Sequence, residues 1–137
     1  MRRNEQISKI MTPNPVTAHH GVALSEVRNL MAENNCHHMP VVSGKSLKGM
    51  ISSTDLLRVT YEYGEDPSGN NAVLDNTRTI EDVMQASAVT VSPHDTIRSA
   101  AEIFSKNWFH ALPVCEDGEL VGIVTTTDIV NYLLDQY

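Results

Sequence analysis

The chain contains an internal duplication. When the sequence is shifted by 73 residues, Met11–Leu57 aligns with Met84–Val130 without a gap, and 11 of the 47 paired positions are identical. Roughly three identities would be expected by chance from ordinary composition. Each copy is therefore one structural unit, and the duplication constrains the fold before any residue is considered for chemistry. The identical pairs are Met11/Met84, Val16/Val89, Thr17/Thr90, Asn34/Asn107, His37/His110, Pro40/Pro113, Val41/Val114, Leu47/Leu120, Gly49/Gly122, Thr54/Thr127 and Asp55/Asp128.

The length of the chain indicates how the two copies are organised. Its 137 residues fit one compact domain. A copy of about 50 residues buries too little surface to be stable alone. We therefore expect a single module over 1–137, with a first repeat at 7–58, a linker at 59–78 and a second repeat at 79–134. The linker is polar and rich in turn residues, which is typical of an exposed connection.

Charge and composition argue against several classes of partner. The net charge is −7 with only ten Lys and Arg residues, whereas nucleic-acid binding needs clustered cations. No apolar run reaches the ~20 residues of a membrane helix, and the polar start does not resemble a signal peptide. Cys36 and Cys115 occupy non-equivalent repeat positions and form no motif, which is typical of small buried residues in a reducing compartment. We expect a cytoplasmic protein.

Hydrophobic periodicity predicts the same order of elements in both repeats, namely strand, helix, strand, strand and helix. In the first repeat these are Pro15–Ala18, a helix from Leu24, His38–Val42, Leu47–Ser52 and Thr54–Tyr61. The spacing of Leu24, Val27, Leu30 and Met31 predicts one buried face on that helix. In the second repeat they are Val89–Val91, a helix capped by Ser92–Asp95, Leu112–Cys115, Leu120–Thr125 and Thr127–Leu134. Polar turn residues predict that the middle two strands of each repeat form a hairpin.

One motif occurs in both copies where a strand meets a helix, as Gly49–Asp55 and Gly122–Asp128. Two interpretations of it are open. A hydroxyl followed three residues later by an acid is typical of a capping box at a helix start. The same geometry suits a nucleotide, because a helix N terminus offers N–H groups to phosphate and the carboxylate accepts from ribose hydroxyls. In that interpretation the glycine lets a ring approach the backbone.

A histidine also recurs, as His37 and His110, each three residues before a proline. Such side chains can donate to phosphate oxygens, more strongly when they are protonated. A metal site built from Cys36, His37 and His38, with His110 as a further ligand, is a competing interpretation. No His/Cys or His/carboxylate spacing typical of metal sites supports it.

The sequence contains no motif that predicts catalysis. It has no nucleophile elbow, no phosphate-binding P-loop and no Cys/His nucleophile pattern. The repeated polar residues occur as symmetric pairs, which favours binding over chemistry. We therefore expect that the protein is not an enzyme.

Taken together, these features resemble a tandem pair of cystathionine β-synthase (CBS) domains, a Bateman module. The resemblance rests on Ile10-Met11 before a Val-Thr strand, the amphipathic helix, the segments HHMPVV and HALPV, and both glycine-to-aspartate motifs. It covers nearly the whole chain, so we expect a stand-alone CBS-pair protein. The resemblance implies an α+β or α/β fold in which two βαββα repeats pack sheet-to-sheet about a pseudo-twofold axis and leave two clefts.

The resemblance also implies that the clefts bind adenosine-containing ligands. AMP, ADP or ATP are expected, with S-adenosylmethionine or NAD-type compounds as alternatives, in each case as regulatory ligands and not as required cofactors. We expect the first of two sites to be the better one, because small Cys36 stands where the other has bulky Phe109. The first would use Ala18, Ala23, Cys36, His37, His110, Ile123, Thr125, Thr127 and Asp128. The second would use Met50, Ser52, Thr54, Asp55, Val91, Thr96 and Phe109.

The leading hypothesis is a non-catalytic adenine-nucleotide sensor in which ligand binding alters the activity of an unidentified partner protein. An alternative is a dimerisation or partner-interaction module whose ligand sites are vestigial. A third is a metal or redox sensor that uses Cys36 and the histidines. A homodimer is expected, because the last helix of each repeat carries apolar residues on more than one face.

Overall fold

The computed structural model describes residues 4–63 and 78–137, and its fold is mixed α+β as predicted. The chain divides into two compact units. The first-repeat unit comprises Val16–Ser87, and the second-repeat unit comprises Met1–Pro15 together with Ala88–Tyr137. The start of the first repeat, up to Pro15, therefore belongs to the second-repeat unit.

The described residues form short strands and helices in the predicted alternation, with a 3-10 helix at Ile7–Lys9 near the start. The elements in chain order are β1 Thr12–Pro13, β2 Ala18–His19, α1 Leu24–Asn34, β3 His38–Ser43, β4 Ser46–Ser52, α2 Ser53–Tyr63, α3 Ile80–Val83, α4 Ile97–Lys106, β5 Ala111–Glu116, β6 Glu119–Thr125 and α5 Thr126–Asp135.

The first-repeat unit is built on the predicted hairpin. β3 and β4 pair antiparallel, and β2 runs parallel to β3. The turn contains Gly44 at a φ of 61°, a conformation that glycine adopts at no steric cost. α1 buries Leu24, Val27 and Met31, which confirms the apolar face expected from their spacing.

The second-repeat unit contains the corresponding hairpin, β5 with β6. Asp117 and Gly118 both have positive φ, 53° and 79°, as a two-residue hairpin turn requires. β1 adds antiparallel to β6, so this strand pairs with a hairpin more than 100 residues away in sequence. The predicted hairpins are confirmed in both repeats, whereas β1 was not predicted.

The first predicted strand of each repeat is displaced or reduced. In the first repeat it begins at Ala18 and not at Pro15, because only Ala18 and His19 pair with β3. In the second repeat the strand predicted at Val89–Val91 is a single parallel bridge between Val91 and Val114. Periodicity could not predict these limits, since they depend on which backbone groups find a partner.

Two further boundaries differ from the prediction. The N-cap of α4 is Thr96, whose Oγ1 accepts from the backbone N–H of Ser99 at 3.0 Å, so the cap is not at Ser92–Asp95. Those residues form a turn in which the N–H of Ser92 donates to the Asp95 carboxylate at 2.8 Å. The linker predicted at 59–78 begins too early, because residues 59–63 continue α2. Residues 64–77 of that linker lie outside the described part of the chain.

The segments that lead into the two repeats are exchanged between the units. Ile7 is the first residue of the first repeat but is fully buried in the core of the second-repeat unit. Its counterpart at the 73-residue shift, Ile80, is 1% exposed in the core of the first-repeat unit. Each core is therefore completed by an isoleucine from the start of the other repeat.

The two motif glycines lie against the exchanged segments. A Cβ placed on Gly122 would meet the sulfur of Met11 at 2.7 Å, and one placed on Gly49 would meet the sulfur of Met84 at 2.9 Å. These glycines leave room for a methionine and the backbone beside it. The sequence-based interpretation, in which glycine admits a ligand ring, is wrong for this position because protein atoms already fill it.

Replacing Gly49 by alanine should destabilise the fold by about 1–3 kcal/mol, the usual cost of overpacking. The new Cβ would lie 2.7 Å from the carbonyl oxygen of Gln85. That backbone cannot move freely, because Met50 and Gln85 exchange hydrogen bonds of 3.1 and 2.7 Å. Gly122→Ala should cost less, since its nearest neighbour is the flexible Met11 side chain.

Urea denaturation of each variant measures these costs. Gly21→Ala is the matched control, because the nearest atom to its Cβ would be 3.7 Å away, an ordinary contact. Equal stability of Gly49→Ala and Gly21→Ala would contradict the proposed close approach.

Candidate functional site

The motif of the second repeat forms a capping box at the start of α5. The backbone N–H of Thr125 donates to Oδ2 of Asp128 at 2.8 Å, and the N–H of Asp128 donates back to Thr125 Oγ1 at 3.2 Å. The Thr125 hydroxyl also donates to Oδ2 at 3.0 Å. Both bonds to the carboxylate use Oδ2. Within the described part of the chain, Oδ1 of Asp128 accepts no hydrogen bond.

The motif of the first repeat has the same cap but a different environment. Ser52 N–H donates to Oδ2 of Asp55 at 2.9 Å, and Asp55 N–H donates to Ser52 Oγ at 3.1 Å. Here Oδ1 lies 3.8 Å from the Arg58 guanidinium, and Asp55 is only 7% exposed. Asn131 stands at the position equivalent to Arg58 in the second repeat. Asp128 therefore has a more accessible carboxylate than Asp55, and it has no cation at the equivalent place.

The two repeated histidines lie beside these caps. The carbonyl oxygen of His37 accepts from the N–H of Ser53, and that of His110 accepts from the N–H of Thr126, both at 2.9 Å. Each histidine thus holds the first residue of the helix through its backbone, while the residue itself is exposed. The imidazoles remain available to a ligand, but their backbone role alone does not require histidine.

The remaining predicted site residues are buried, half-buried or exposed. Buried side chains are already enclosed by protein, so a ligand could contact them chiefly through their backbone. Phe109 and Cys36 are half-buried, and the Phe109 ring packs edge-to-face on Phe104 at 6.4 Å. The buried residues are Ala18, Met50, Val91 and Ile123, and the exposed ones are Ala23, Thr54 and Thr127. Thr96 is half-buried and engaged as the N-cap of α4.

Neither cysteine has the features of a reactive thiol. Burial raises the pKa of the Cys36 and Cys115 thiols, so both favour the protonated form, which is the weaker nucleophile. Over residues 4–63 and 78–137, no three His, Cys, Asp or Glu side chains are grouped so that they could hold a metal ion. The described structure therefore offers no ligand set for the metal interpretation of Cys36, His37, His38 and His110.

Sequence reasoning missed a pocket of about 430 Å³ between α1 and α2, which we call the α1–α2 pocket. Two predicted site residues, Cys36 and His37, contribute to its lining. A comparison of the repeats contains a signal for it, because the first repeat has smaller side chains at several of these positions. Its lining includes Arg28, Met31, Asn35, Cys36, Leu57 and Thr60.

The fold and the paired caps define a tandem module of two related domains. The sequence profile of the CBS domain matches residues 7–62 and 80–135, so the chain belongs to the CBS-domain family. Among the described helices, none has the length and hydrophobicity that a membrane span requires.

Several known proteins are similar to this chain. Uncharacterized protein MJ1225 of Methanocaldococcus jannaschii is 31% identical over 133 residues, 94% of this chain and 47% of that protein. Its crystal structure has a TM-score of 0.83 at 30% identity, covering 97% of this chain and 49% of that one.

The CBS domain pair of protein MJ0100, solved in complex with 5′-methylthioadenosine and S-adenosyl-L-methionine, has a TM-score of 0.82 at 25% identity. The match covers 96% of this chain and 98% of that one. The L-aspartate semialdehyde sulfurtransferase of M. jannaschii is 29% identical over 126 residues, 90% of this chain but 22% of the enzyme. The chain thus spans about half or less of these two curated relatives, MJ1225 and the sulfurtransferase.

Proposed function

We propose that this protein is a non-catalytic regulatory module that binds an adenosine-containing ligand. Support comes from the CBS domain pair of MJ0100, which was solved with 5′-methylthioadenosine and S-adenosyl-L-methionine. Those two compounds carry no phosphate, and they share with AMP, ADP and ATP an adenine and a ribose with two vicinal hydroxyls. The ribose is therefore the group that any of these ligands would present to the protein.

The observation that carries the proposal is the unused carboxylate oxygen of Asp128. Oδ2 completes the cap of α5, while Oδ1 accepts no hydrogen bond from the described residues. Vicinal ribose hydroxyls are donors, and a hydrogen bond to an ionised carboxylate is stronger than a neutral one. A capping box fixes the position of this oxygen, because the reciprocal bonds hold the carboxylate in one rotamer. Capping and ribose binding are thus compatible roles of the same side chain.

The two repeats should not bind equally well. Asp55 is nearly buried and its Oδ1 lies near Arg58, so binding of a ribose there would first have to displace or share that contact. Asp128 is half-buried and has Asn131 in place of the arginine. We propose the site at Asp128, with Thr125, Thr127 and His110 beside it and Ala18, Ala23, Cys36, His37 and Ile123 as the further residues expected from the family resemblance.

Isothermal titration tests the proposal with three ligands that separate the ribose from the phosphate. 5′-Methylthioadenosine, AMP and 2′-deoxyadenosine 5′-monophosphate should be titrated into the full chain. If the diol is recognised, the first two bind and the deoxynucleotide binds at least tenfold more weakly, since it leaves the acceptor without one donor. Binding of none of the three would favour the alternative, an interaction module with vestigial sites.

We also propose that the protein forms a homodimer. Its support is the exposed apolar surface of the two long C-terminal helices of the repeats. Leu57 on α2 is 69% exposed, and Val130 and Leu134 on α5 are 53% and 65% exposed. Twofold association would remove these side chains from water. Light scattering should give the mass of two chains at micromolar concentration, and a monomer mass throughout the range would contradict this proposal.

A further inference from the structure

The α1–α2 pocket exists in the first repeat because several of its side chains are smaller than their counterparts in the second. Met31 and Cys36 correspond to Phe104 and Phe109 at the 73-residue shift, and Thr60 corresponds to Leu133. The two phenylalanine rings pack edge-to-face, with centroids 6.4 Å apart, against the core of the second-repeat unit. The first repeat has no aromatic ring at these two positions.

A large apolar side chain lies exposed at a matching place in the second repeat. Trp108, the single tryptophan of the chain, follows α4 and is 97% exposed. Its counterpart is Asn35, which lines the α1–α2 pocket of the first repeat. The indole ring carries one of the largest apolar surfaces of any side chain, so an association that removed it from water would be favourable.

We propose that the α1–α2 pocket receives the indole of Trp108 from a second copy of this chain. The inference rests on the homodimer proposed above and specifies its geometry: the helix pair α1–α2 of one copy faces α4–α5 of the other. Because a twofold axis repeats every contact, the dimer contains two such insertions. Leu57 lies at the pocket, and Val130 occupies the equivalent position on α5. Each of these side chains is more than half exposed, so each extends the apolar surface on its side of the contact.

The size and chemistry of the pocket fit this occupant. A volume of about 430 Å³ is large enough for an indole together with the side-chain adjustments that docking requires. Met31 can adapt to an aromatic ring, since a flexible thioether makes favourable contacts with its edge. Arg28 forms part of the lining, and a guanidinium is a common neighbour of an indole face.

The buried area indicates a second copy of the chain as the occupant. A buried tryptophan removes roughly 200 Å² from water. If the pocket loses a similar area, one insertion buries about 400 Å² and two bury about 800 Å², half of a standard interface of about 1,600 Å². The exposed leucines and valine of α2 and α5 lie on the same helices and can supply the remainder. A single insertion into an unrelated partner would bury only half as much.

Tryptophan fluorescence tests this arrangement directly, because Trp108 is the only emitter of its kind in the chain. Sedimentation velocity and emission spectra should be recorded on the full chain across a dilution series. We expect a blue-shifted emission that is protected from acrylamide in the dimer, and a red shift on dilution to monomer. A dimer whose Trp108 remains quenchable would overturn the inference while leaving the homodimer intact. A monomer at all concentrations would contradict both.

Variants on each side of the contact separate it from a general loss of stability. Trp108→Ala should weaken the dimer about 30-fold or more, as expected for a tryptophan at an interface centre. Tyr137→Ala is the matched control, because it removes an aromatic ring that is 99% exposed at the C terminus. Met31→Phe with Cys36→Phe fills the pocket with the residues of the second repeat, so it should weaken the dimer and expose Trp108. Unchanged dimerisation in the Trp108 variant would overturn the inference.

Discussion

Saturation with an adenosine-containing ligand should raise the melting temperature of this protein by roughly 9 °C. At a free ligand concentration ~100 times Kd, linkage stabilises the folded state by about 2.7 kcal/mol. An unfolding entropy of about 2.1 cal/mol/K per residue over 137 residues converts that free energy into the stated shift. Differential scanning fluorimetry with AMP, ADP, ATP, S-adenosylmethionine, 5′-methylthioadenosine and NADH measures it.

If the proposal is right, the rise in melting temperature depends on the adenosine group of the ligand and not on its charge. Guanosine monophosphate and inorganic phosphate serve as controls, because they match AMP in charge or phosphate content but lack the adenine. A flat melting curve across all the adenosine compounds at millimolar concentration would contradict ligand binding, and it would favour the module with vestigial sites.

The second large effect is expected for Asp128→Asn, which should weaken binding of 5′-methylthioadenosine and AMP by about 1.5–3 kcal/mol, the worth of a charge-assisted hydrogen bond. Asparagine keeps one oxygen that can accept the N–H of Thr125, so the cap of α5 can persist. The outward atom becomes an amide donor that cannot accept a ribose hydroxyl. Affinity should therefore fall much more than stability does, as measured by titration and urea denaturation of the same variant.

Two further carboxylates provide matched controls for that variant. Asp55→Asn changes the equivalent residue of the first repeat, where burial and Arg58 already limit access, so it should reduce affinity less. Asp82→Asn changes a third capping box, in which Thr79 N–H donates to the Asp82 carboxylate at 3.0 Å. It reports the cost of altering a cap alone. Equal affinity losses in all three variants would show that the carboxylates act through stability only.

The Asp82 cap also predicts how the effect of Asp82→Asn on stability changes with pH. Its hydrogen bonds from the backbone and side chain of Thr79 lower the pKa of the Asp82 carboxyl. A carboxylate with a lowered folded-state pKa contributes stability above its unfolded value and loses that contribution as pH falls through the folded value. The effect of Asp82→Asn on stability should therefore shrink in acid, as denaturation at neutral and acidic pH would show.

Local patterns predicted the elements whose limits are set within a few residues of sequence. The hairpins around Gly44 and Gly118 follow from turn residues that tolerate positive φ, and α1 follows from the spacing of Leu24, Val27 and Met31. The strands at Ala18 and Val91 were misplaced because their pairing partners lie on β3 and β5. A strand of two residues has no periodicity of its own, so only the partner defines it.

The candidate site likewise combines features set by local sequence with features set by tertiary packing. The capping residues Thr125 and Asp128 could be identified from spacing, because the reciprocal bonds of a capping box span only three residues. The difference between Asp128 and Asp55 could not, since it depends on burial and on the distance from Arg58. The α1–α2 pocket was also missed, because a cavity depends on how side chains from two helices fit together.

By itself, the sequence determined that this protein is a duplicated α+β module with two helix-capping motifs in register, because repetition, turn chemistry and caps act over short distances along the chain. Only the tertiary structure decided that the leading segments are exchanged, with Ile7 in the second-repeat core and Ile80 in the first-repeat core. It also decided that Gly49 and Gly122 accommodate Met84 and Met11. These contacts join residues far apart in sequence, and packing selects them only after the local elements exist.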